Sequence, residues 1–121
     1  MIDIYLIISI ALVCHWLGDF VYQDDEMAIS KSSSNKVLAD HCVTYTGWMS
    51  LWFLLFVNSS LARYLLFFSG CFMVHFIVDF FTSRLNCYLR KKEDIHGFFV
   101  SVGFDQILHY LTLLGAYRLF T

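Results

Sequence analysis

Histidine and aspartate stand four positions apart at three places in an otherwise apolar chain. A fourth apolar stretch carries a lone histidine, His41. In chain order the three pairs are His15 with Asp19, His75 with Asp79, and Asp105 with His109. Residues i and i+4 lie on the same face of an α-helix, so each pair is expected to point in one direction. The spacing therefore predicts that four separate segments direct polar groups toward a common site.

Neutral imidazole and carboxylate groups are ligands for zinc, iron and manganese. The candidate metal ligands are His15, Asp19, His41, His75, Asp79, Asp105 and His109. Four to six of them suffice for one ion, so the set could hold two ions, or one ion with supporting carboxylates behind its histidines. We expect a divalent metal as cofactor, with zinc as the first choice and iron or manganese as alternatives.

The cost of burying these groups indicates that something compensates them. An aspartate in the middle of a bilayer costs about 2.5–3.5 kcal/mol, so three aspartates cost about 8–10 kcal/mol unless they are paired. A metal ion would offset this cost. A neutral hydrogen-bonded network and a proton or ion pathway remain alternatives, although the extracellular half of the apolar stretches looks too apolar for a through-pore. Haem between two histidines ranks low, because the aspartates would be costly neighbours without a role.

A metal ion with an open coordination position activates water near neutral pH. The candidate catalytic residues are Asp19 and Asp105 as general bases, and Gln23, Gln106 and Lys31 as groups that hold a phosphate or carbonyl oxygen. The substrate would then be amphipathic, such as a phospholipid or another lipid-linked ester from the inner leaflet. Each of the last three residues also has a simpler role: a helix cap, an interhelical hydrogen bond, or contact with anionic headgroups. A metal-dependent hydrolase and a non-enzymatic regulator or ion-handling protein therefore both remain open.

The elements that must position these residues resemble membrane spans. The chain of 121 residues is 59% hydrophobic and 15% charged, whereas soluble domains are about 25% charged. Four stretches have the length of about 20 apolar residues that a bilayer requires, at 2–22, 37–57, 61–85 and 96–119. Lipid offers no partner for free backbone groups, so these spans must be helical. We predict one all-α domain over 1–121, a transmembrane antiparallel four-helix bundle with a tight turn at 58–60.

Positive charge predicts the orientation of the chain. Most lysine and arginine residues stand in or beside the loops at 23–36 and 86–95, which places these loops in the cytoplasm and both termini outside. The expected location is a multipass membrane, such as the bacterial inner membrane, with the site toward the cytoplasmic leaflet. Membrane lipids are the expected partners. No basic stripe favours nucleic acid, and small residues such as Gly70 and Gly115 would permit a homodimer.

The motifs "HWLGDFVYQ", "MAISK", "HFIVD" and "DQILH", with His41 between them, resemble a family of small bacterial and phage membrane proteins, domain of unknown function 3307. The resemblance extends over nearly the whole chain, and no motif position is missing. The positions that carry it are His15, Asp19, Gln23, Met27, Ala28, Lys31, His41, His75, Asp79, Asp105, Gln106 and His109. The family implies a compact membrane protein and supplies no reaction. A more distant likeness, in pattern only, is to membrane-bound metal-dependent hydrolases with His and Asp pairs on transmembrane helices.

Overall fold

The computed structural model describes residues 2–57 and 60–121, and the regular structure in these ranges is entirely helical. The all-α prediction is therefore confirmed. The elements are α1 (Ile4–Trp16), a π-helical segment (Leu17–Val21), α2 (Asp25–Ser30), α3 (Asn35–Phe56), α4 (Leu61–Lys91) and α5 (Ile95–Phe120). Each predicted span overlaps a helical segment and extends at most two residues beyond it, and α2 is an addition to the four helices expected from the sequence.

Polar side chains define where the α-helices begin. A side-chain oxygen of the residue before each helix accepts a hydrogen bond from a backbone N–H of the first turn, which otherwise has no partner. The capping residues are Asp3, Asp24, Ser34, Ser60 and Asp94. The short polar connections of the sequence thus contribute directly to the start of the next helix.

Two connections differ from the prediction. The segment 23–36 was expected to be a loop, but α2 forms there because Asp24 caps a turn of residues that favour helix. The third span was expected to end at 85, but α4 continues through Lys91, so only a short turn separates it from α5. Glu93, in that turn, has a φ of 58°, the left-handed conformation that commonly ends a helix. The predicted turn at 58–60 lies largely outside the described residues.

Three helical segments are long and apolar enough to cross a membrane: Ile4–Val21, Leu61–Lys91 and Ile95–Phe120. Many of their large apolar side chains are exposed, as expected for a surface that faces lipid. Helix α3 has 22 residues but is less apolar, since it includes Lys36, Asp40 and His41. It packs against α1, the π-helical segment, α2 and α4, and its polar residues His41, Thr46 and Ser50 are buried. The structure thus supports membrane association.

Aromatic side chains hold the helices together at the end of the molecule that contains the C-terminus. The rings of Phe53 and Phe67 stack with centroids 4.2 Å apart, and Phe120 packs edge-on against both. Trp52 is fully buried, and its Nε1 donates a hydrogen bond of 3.0 Å to the carbonyl oxygen of Ile7. This packing joins α1, α3, α4 and α5 beside the buried polar residues.

Candidate metal centre

The seven predicted ligand residues meet in one buried cluster, which we call the His/Asp cluster. Each of the seven residues is at most 8% exposed. Helix α1 contributes one, the π-helical segment one, α3 one, and α4 and α5 two each; they are His15, Asp19, His41, His75, Asp79, Asp105 and His109. The i, i+4 spacing of each pair therefore leads to the convergence that was expected.

Four of these residues bring one ligand atom each to a common centre. Nε2 of His41 lies 3.1 Å from Nε2 of His75 and 3.1 Å from Oδ1 of Asp19. The same nitrogen is 3.3 Å from Oδ2 of Asp79, and Nε2 of His75 is 3.5 Å from both carboxylate oxygens. These are five of the six distances between the four ligand atoms. A regular tetrahedron with edges of this length has its centre about 1.9–2.1 Å from each corner, which is the range of zinc–nitrogen and zinc–oxygen bonds. These four side chains could hold a metal ion.

A second group with ligand atoms close together comprises Asp19, Asp105 and His109. The side-chain amide of Gln106 donates hydrogen bonds to Oδ2 of Asp19 at 3.2 Å and to Oδ2 of Asp105 at 3.1 Å. Thr82 donates from its hydroxyl to the other oxygen of Asp105 at 2.6 Å. The amide nitrogen therefore lies between the two carboxylates, close to where a second ion would have to bind.

Two aspartates connect the two groups. Asp19 directs Oδ1 toward His41 and Oδ2 toward Gln106. Asp79 directs Oδ2 toward His41 in the first group, Asp19, His41, His75 and Asp79, which we call the four-residue centre. Its Oδ1 lies 3.1 Å from Nε2 of His109. A change at either carboxylate would therefore affect both groups at once.

Asp19 joins the cluster from the π-helical segment, whose turn is wider than that of an α-helix. Its Oδ2 lies 3.8 Å from Nε2 of His15. Gly18 allows the segment to approach α3 closely, because a Cβ at this position would lie 3.0 Å from Cα of Tyr45. π-Helical turns often occur at functional sites.

The structure places His15 outside both groups of side chains that could hold a metal ion. Its Nε2 is 2.8 Å from Oε1 of Gln106, and its Nδ1 is 3.0 Å from the hydroxyl of Tyr45. Both ring nitrogens therefore have partners without an ion. In this arrangement His15 orients Gln106, which in turn bridges the carboxylates of Asp19 and Asp105.

Lys31 provides the cation of the cluster. Its Nζ lies 2.9 Å from Oδ2 of Asp79, and its side chain is 17% exposed. Burial alone would lower the pKa of Lys31, but the carboxylates of Asp79 and Asp19 outweigh this effect and raise the pKa above its usual value. The ammonium therefore stays charged. With Asp105, the three buried carboxylates leave two negative charges beyond Lys31, which one divalent cation or two protons on the histidines would neutralise.

The residues proposed for catalysis lie around a polar cavity of about 250 Å³ beside the His/Asp cluster. Those that line it are Asp19, Gln23, Lys31, Asp105 and Gln106. Oε1 of Gln23 is buried and has no hydrogen-bond partner within residues 2–57 and 60–121. All five candidates are therefore brought to one place, next to the candidate metal ligands.

Several polar residues of the site were missed from the sequence. Tyr45 stands four positions after His41, and its ring stacks on His75 with centroids 3.7 Å apart. The other residues that were missed lie on α4; they are Thr82, Ser83, Asn86 and Arg90. They continue the face of Asp79 at intervals of three and four residues, so the periodicity that revealed the His/Asp pairs could also have found them. His96, left out of the cluster, is exposed.

Comparison with curated proteins and comparison with solved structures each give no match. A family model does match, over residues 7–121, and its description is "protein of unknown function (DUF3307)". The match includes the whole His/Asp cluster and the polar cavity, and it agrees with the family that the sequence motifs resemble. The chain therefore belongs to the DUF3307 family.

Proposed function

We propose that this protein binds one divalent metal ion, preferably zinc, within the membrane and uses it to hydrolyse an amphipathic lipid ester. The observation that carries the proposal is the spacing of Asp19, His41, His75 and Asp79. Their ligand atoms are 3.1–3.5 Å apart along the five measured edges, as around a tetrahedral zinc ion. Two surplus negative charges in a buried cluster also favour a divalent cation.

The proposed architecture is a transmembrane antiparallel bundle of four segments: α1 with its π-helical extension, α3, α4 and α5. The loops that carry most of the positive charge would face the cytoplasm, with both termini outside. The polar cavity, with Lys31 and Arg90 in its wall, would then open toward the cytoplasmic leaflet. A homodimer through small residues such as Gly115 is a further proposal, which crosslinking in membranes would test.

An ion in this centre would polarise water and supply a nucleophile at neutral pH. The oxygen of water would bond to the carbonyl carbon or phosphorus of the ester, the ester bond to the alcohol would break, and the alcohol would leave with a proton. Asp105 fits the general base, because it lies in the wall of the polar cavity and is oriented by Thr82. Lys31, whose Nζ lies 2.9 Å from Oδ2 of Asp79, would compete with an ion for that oxygen and so leave a coordination position open.

The arrangement of Gln106 favours one ion rather than two. Its amide nitrogen donates to both Asp19 and Asp105, and its Oε1 is bonded to His15. A second ion between these carboxylates would require the amide to move away and two hydrogen bonds to be lost. Gln106 is thus proposed to orient Asp19 for the first ion.

A second function is favoured by one observation. Four protein ligands form the closed coordination set that is typical of structural zinc, whereas catalytic zinc keeps an open position. If Asp79 stays on the ion, the centre would fix the helices, and the protein would act as a non-enzymatic membrane regulator. The two functions share the metal and differ in whether water and substrate have access to it.

Elemental analysis of the detergent-purified protein tests the metal. We expect about one zinc per chain, lost in His41→Ala and His75→Ala and retained in His96→Ala, whose histidine is exposed. Metal-free protein with full thermal stability in chelator would reject the metal and favour the hydrogen-bonded network.

Turnover requires a separate test in liposomes that contain labelled phospholipid. We expect Asp105→Asn to keep its zinc and to lose hydrolysis. Zinc without any turnover in the wild type would favour the structural role, and turnover that survives Asp105→Asn would exclude this residue as the base.

A further inference from the structure

An apolar cavity lies on the other side of the His/Asp cluster from the polar cavity. Its volume is about 420 Å³, which falls within the range of small-molecule sites. It lies between α3, α4 and α5, and its wall includes two members of the cluster, His75 and His109. Gly70 has no side chain and Ala116 has only a methyl group, and a Cβ at Gly70 would meet no atom within 4 Å. The cavity is therefore mostly apolar and directly adjoins two of the candidate metal ligands.

The polar cavity is lined by three residues with a buried polar atom that could bond to a ligand. Oε1 of Gln23, Oγ of Ser83 and Oδ1 of Asn86 are buried, and none has a hydrogen-bond partner in the part of the chain that the structure describes. All three residues line this cavity. Buried polar atoms without partners are costly, so a ligand with hydroxyl groups would be stabilised here.

The same cavity has two cations in its wall, Lys31 and Arg90. Lys31 is paired with Asp79, whereas Arg90 forms no ion pair among residues 2–57 and 60–121. Asp19 and Asp105 also line the cavity, but Gln106 and the histidines already engage their oxygens. With the proposed ion bound, the charge that remains for a ligand is positive, and it suits a phosphate.

The two cavities and the cluster follow one another along the helices. On α4, residues from Ser83 to Arg90 line the polar cavity, and residues from Leu66 to His75 line the apolar cavity. The candidate ligands His75 and Asp79 lie between these two stretches or at their border. Helix α5 repeats this order in the opposite direction, with Asp105 and His109 between the cavities. A ligand that filled both would be polar at one end and apolar at the other, with the metal beside its middle.

We propose that the site takes an anionic phospholipid whose headgroup carries hydroxyls, as in phosphatidylglycerol. Its phosphate would lie by Lys31 and Arg90, and its hydroxyls would bond to Gln23, Ser83 and Asn86. One alkyl chain would occupy the apolar cavity, which brings the ester linkages to the His/Asp cluster. This inference rests on the proposed function, because it names the substrate class of that metal site.

Lipid binding to the purified protein, measured by native mass spectrometry, tests the inference. The probes are phosphatidylglycerol, phosphatidylethanolamine and soluble glycerol 3-phosphate. We expect phosphatidylglycerol to bind about tenfold more tightly than phosphatidylethanolamine, because the latter adds an ammonium beside two cations. Equal affinity for both lipids, or a soluble headgroup that displaces the lipid at equal concentration, would overturn the inference.

Two variants with matched controls locate the lipid. Gly70→Leu would fill the apolar cavity, where a Cβ has room, and should lower lipid affinity about tenfold. Gly103→Leu is its control, since Gly103 also has open space and lines neither cavity. Arg90→Gln should remove the preference for phosphatidylglycerol, whereas Arg118→Gln at the opposite end of the molecule should keep it. Unchanged binding in both Gly70→Leu and Arg90→Gln would place the lipid elsewhere.

Zinc content measured on the same samples separates this inference from the proposed function. Zinc with no lipid preference rejects the substrate class and leaves the metal centre standing. Lipid preference without zinc in any preparation rejects the metal-dependent hydrolase, and it leaves a lipid-binding protein with the headgroup preference described above.

Discussion

Removal of His41 should abolish the stabilisation that zinc gives to this protein. The side chain is fully buried, and its Nε2 takes part in three of the five measured edges of the four-residue centre. At a free zinc concentration of 100 times its dissociation constant, an ion that binds only the folded state stabilises it by about 2.7 kcal/mol. For a chain of this length, that corresponds to an increase in melting temperature of about 10 °C.

The assay is thermal unfolding in detergent, with zinc and with chelator, of the wild type, His41→Ala and His96→Ala. We expect the zinc-dependent increase in the wild type and in His96→Ala, and little or none in His41→Ala. A hydrogen-bonded network without metal predicts something different: His41→Ala would lower the melting temperature equally in zinc and in chelator, by the cost of unpaired buried groups. An equal zinc-dependent increase in all three proteins would refute the assignment of His41 as a ligand.

Three further predictions follow from individual contacts. Lys31→Met should keep about one zinc per chain but lose turnover, because no cation remains to draw its carboxylate partner from the ion; elemental analysis and lipid hydrolysis measure the two effects. Gln106→Glu should raise the zinc content to about two per chain, since a third carboxylate replaces the amide between the other two; a content of one would contradict this. Gly18→Val should lower the free energy of unfolding by about 1–3 kcal/mol through overpacking against Tyr45. Gly103→Val is the control, because a Cβ there meets no atom within 4 Å, and it should show only the change that the different helix propensities of glycine and valine cause.

The helices of the fold follow from local features of the sequence. Long apolar stretches predicted helices near the observed positions. Helix α2 and the extension of α4 through Lys91 were missed, because hydropathy measures affinity for lipid, whereas helix formation also depends on capping and propensity. Helix α3 is less apolar than the other long helices because it packs against α1, the π-helical segment, α2 and α4. Its residues therefore contact protein on several sides and need not be apolar.

The candidate site was predictable in membership and unpredictable in detail. Spacing of four identified Asp19, His75 and Asp79, because side-chain direction on a helix is a local property. It also included His15, whose ring nitrogens contact Gln106 and Tyr45 and which lies outside the candidate metal centre. Asp19 lies in a π-helical turn, which a spacing of four does not predict. The roles of these residues as ligands remain predictions for the metal analysis.

By itself, the sequence determined that the chain is helical, that its helices favour a membrane, and that histidine and aspartate are directed to one side of each helix. These properties depend on neighbours within a turn or two along the chain. Only the tertiary structure decided which ligand atoms lie within 3.5 Å of one another, and that a polar and an apolar cavity adjoin the cluster. Such distances depend on how helices distant in sequence pack together, which is a property of the whole fold.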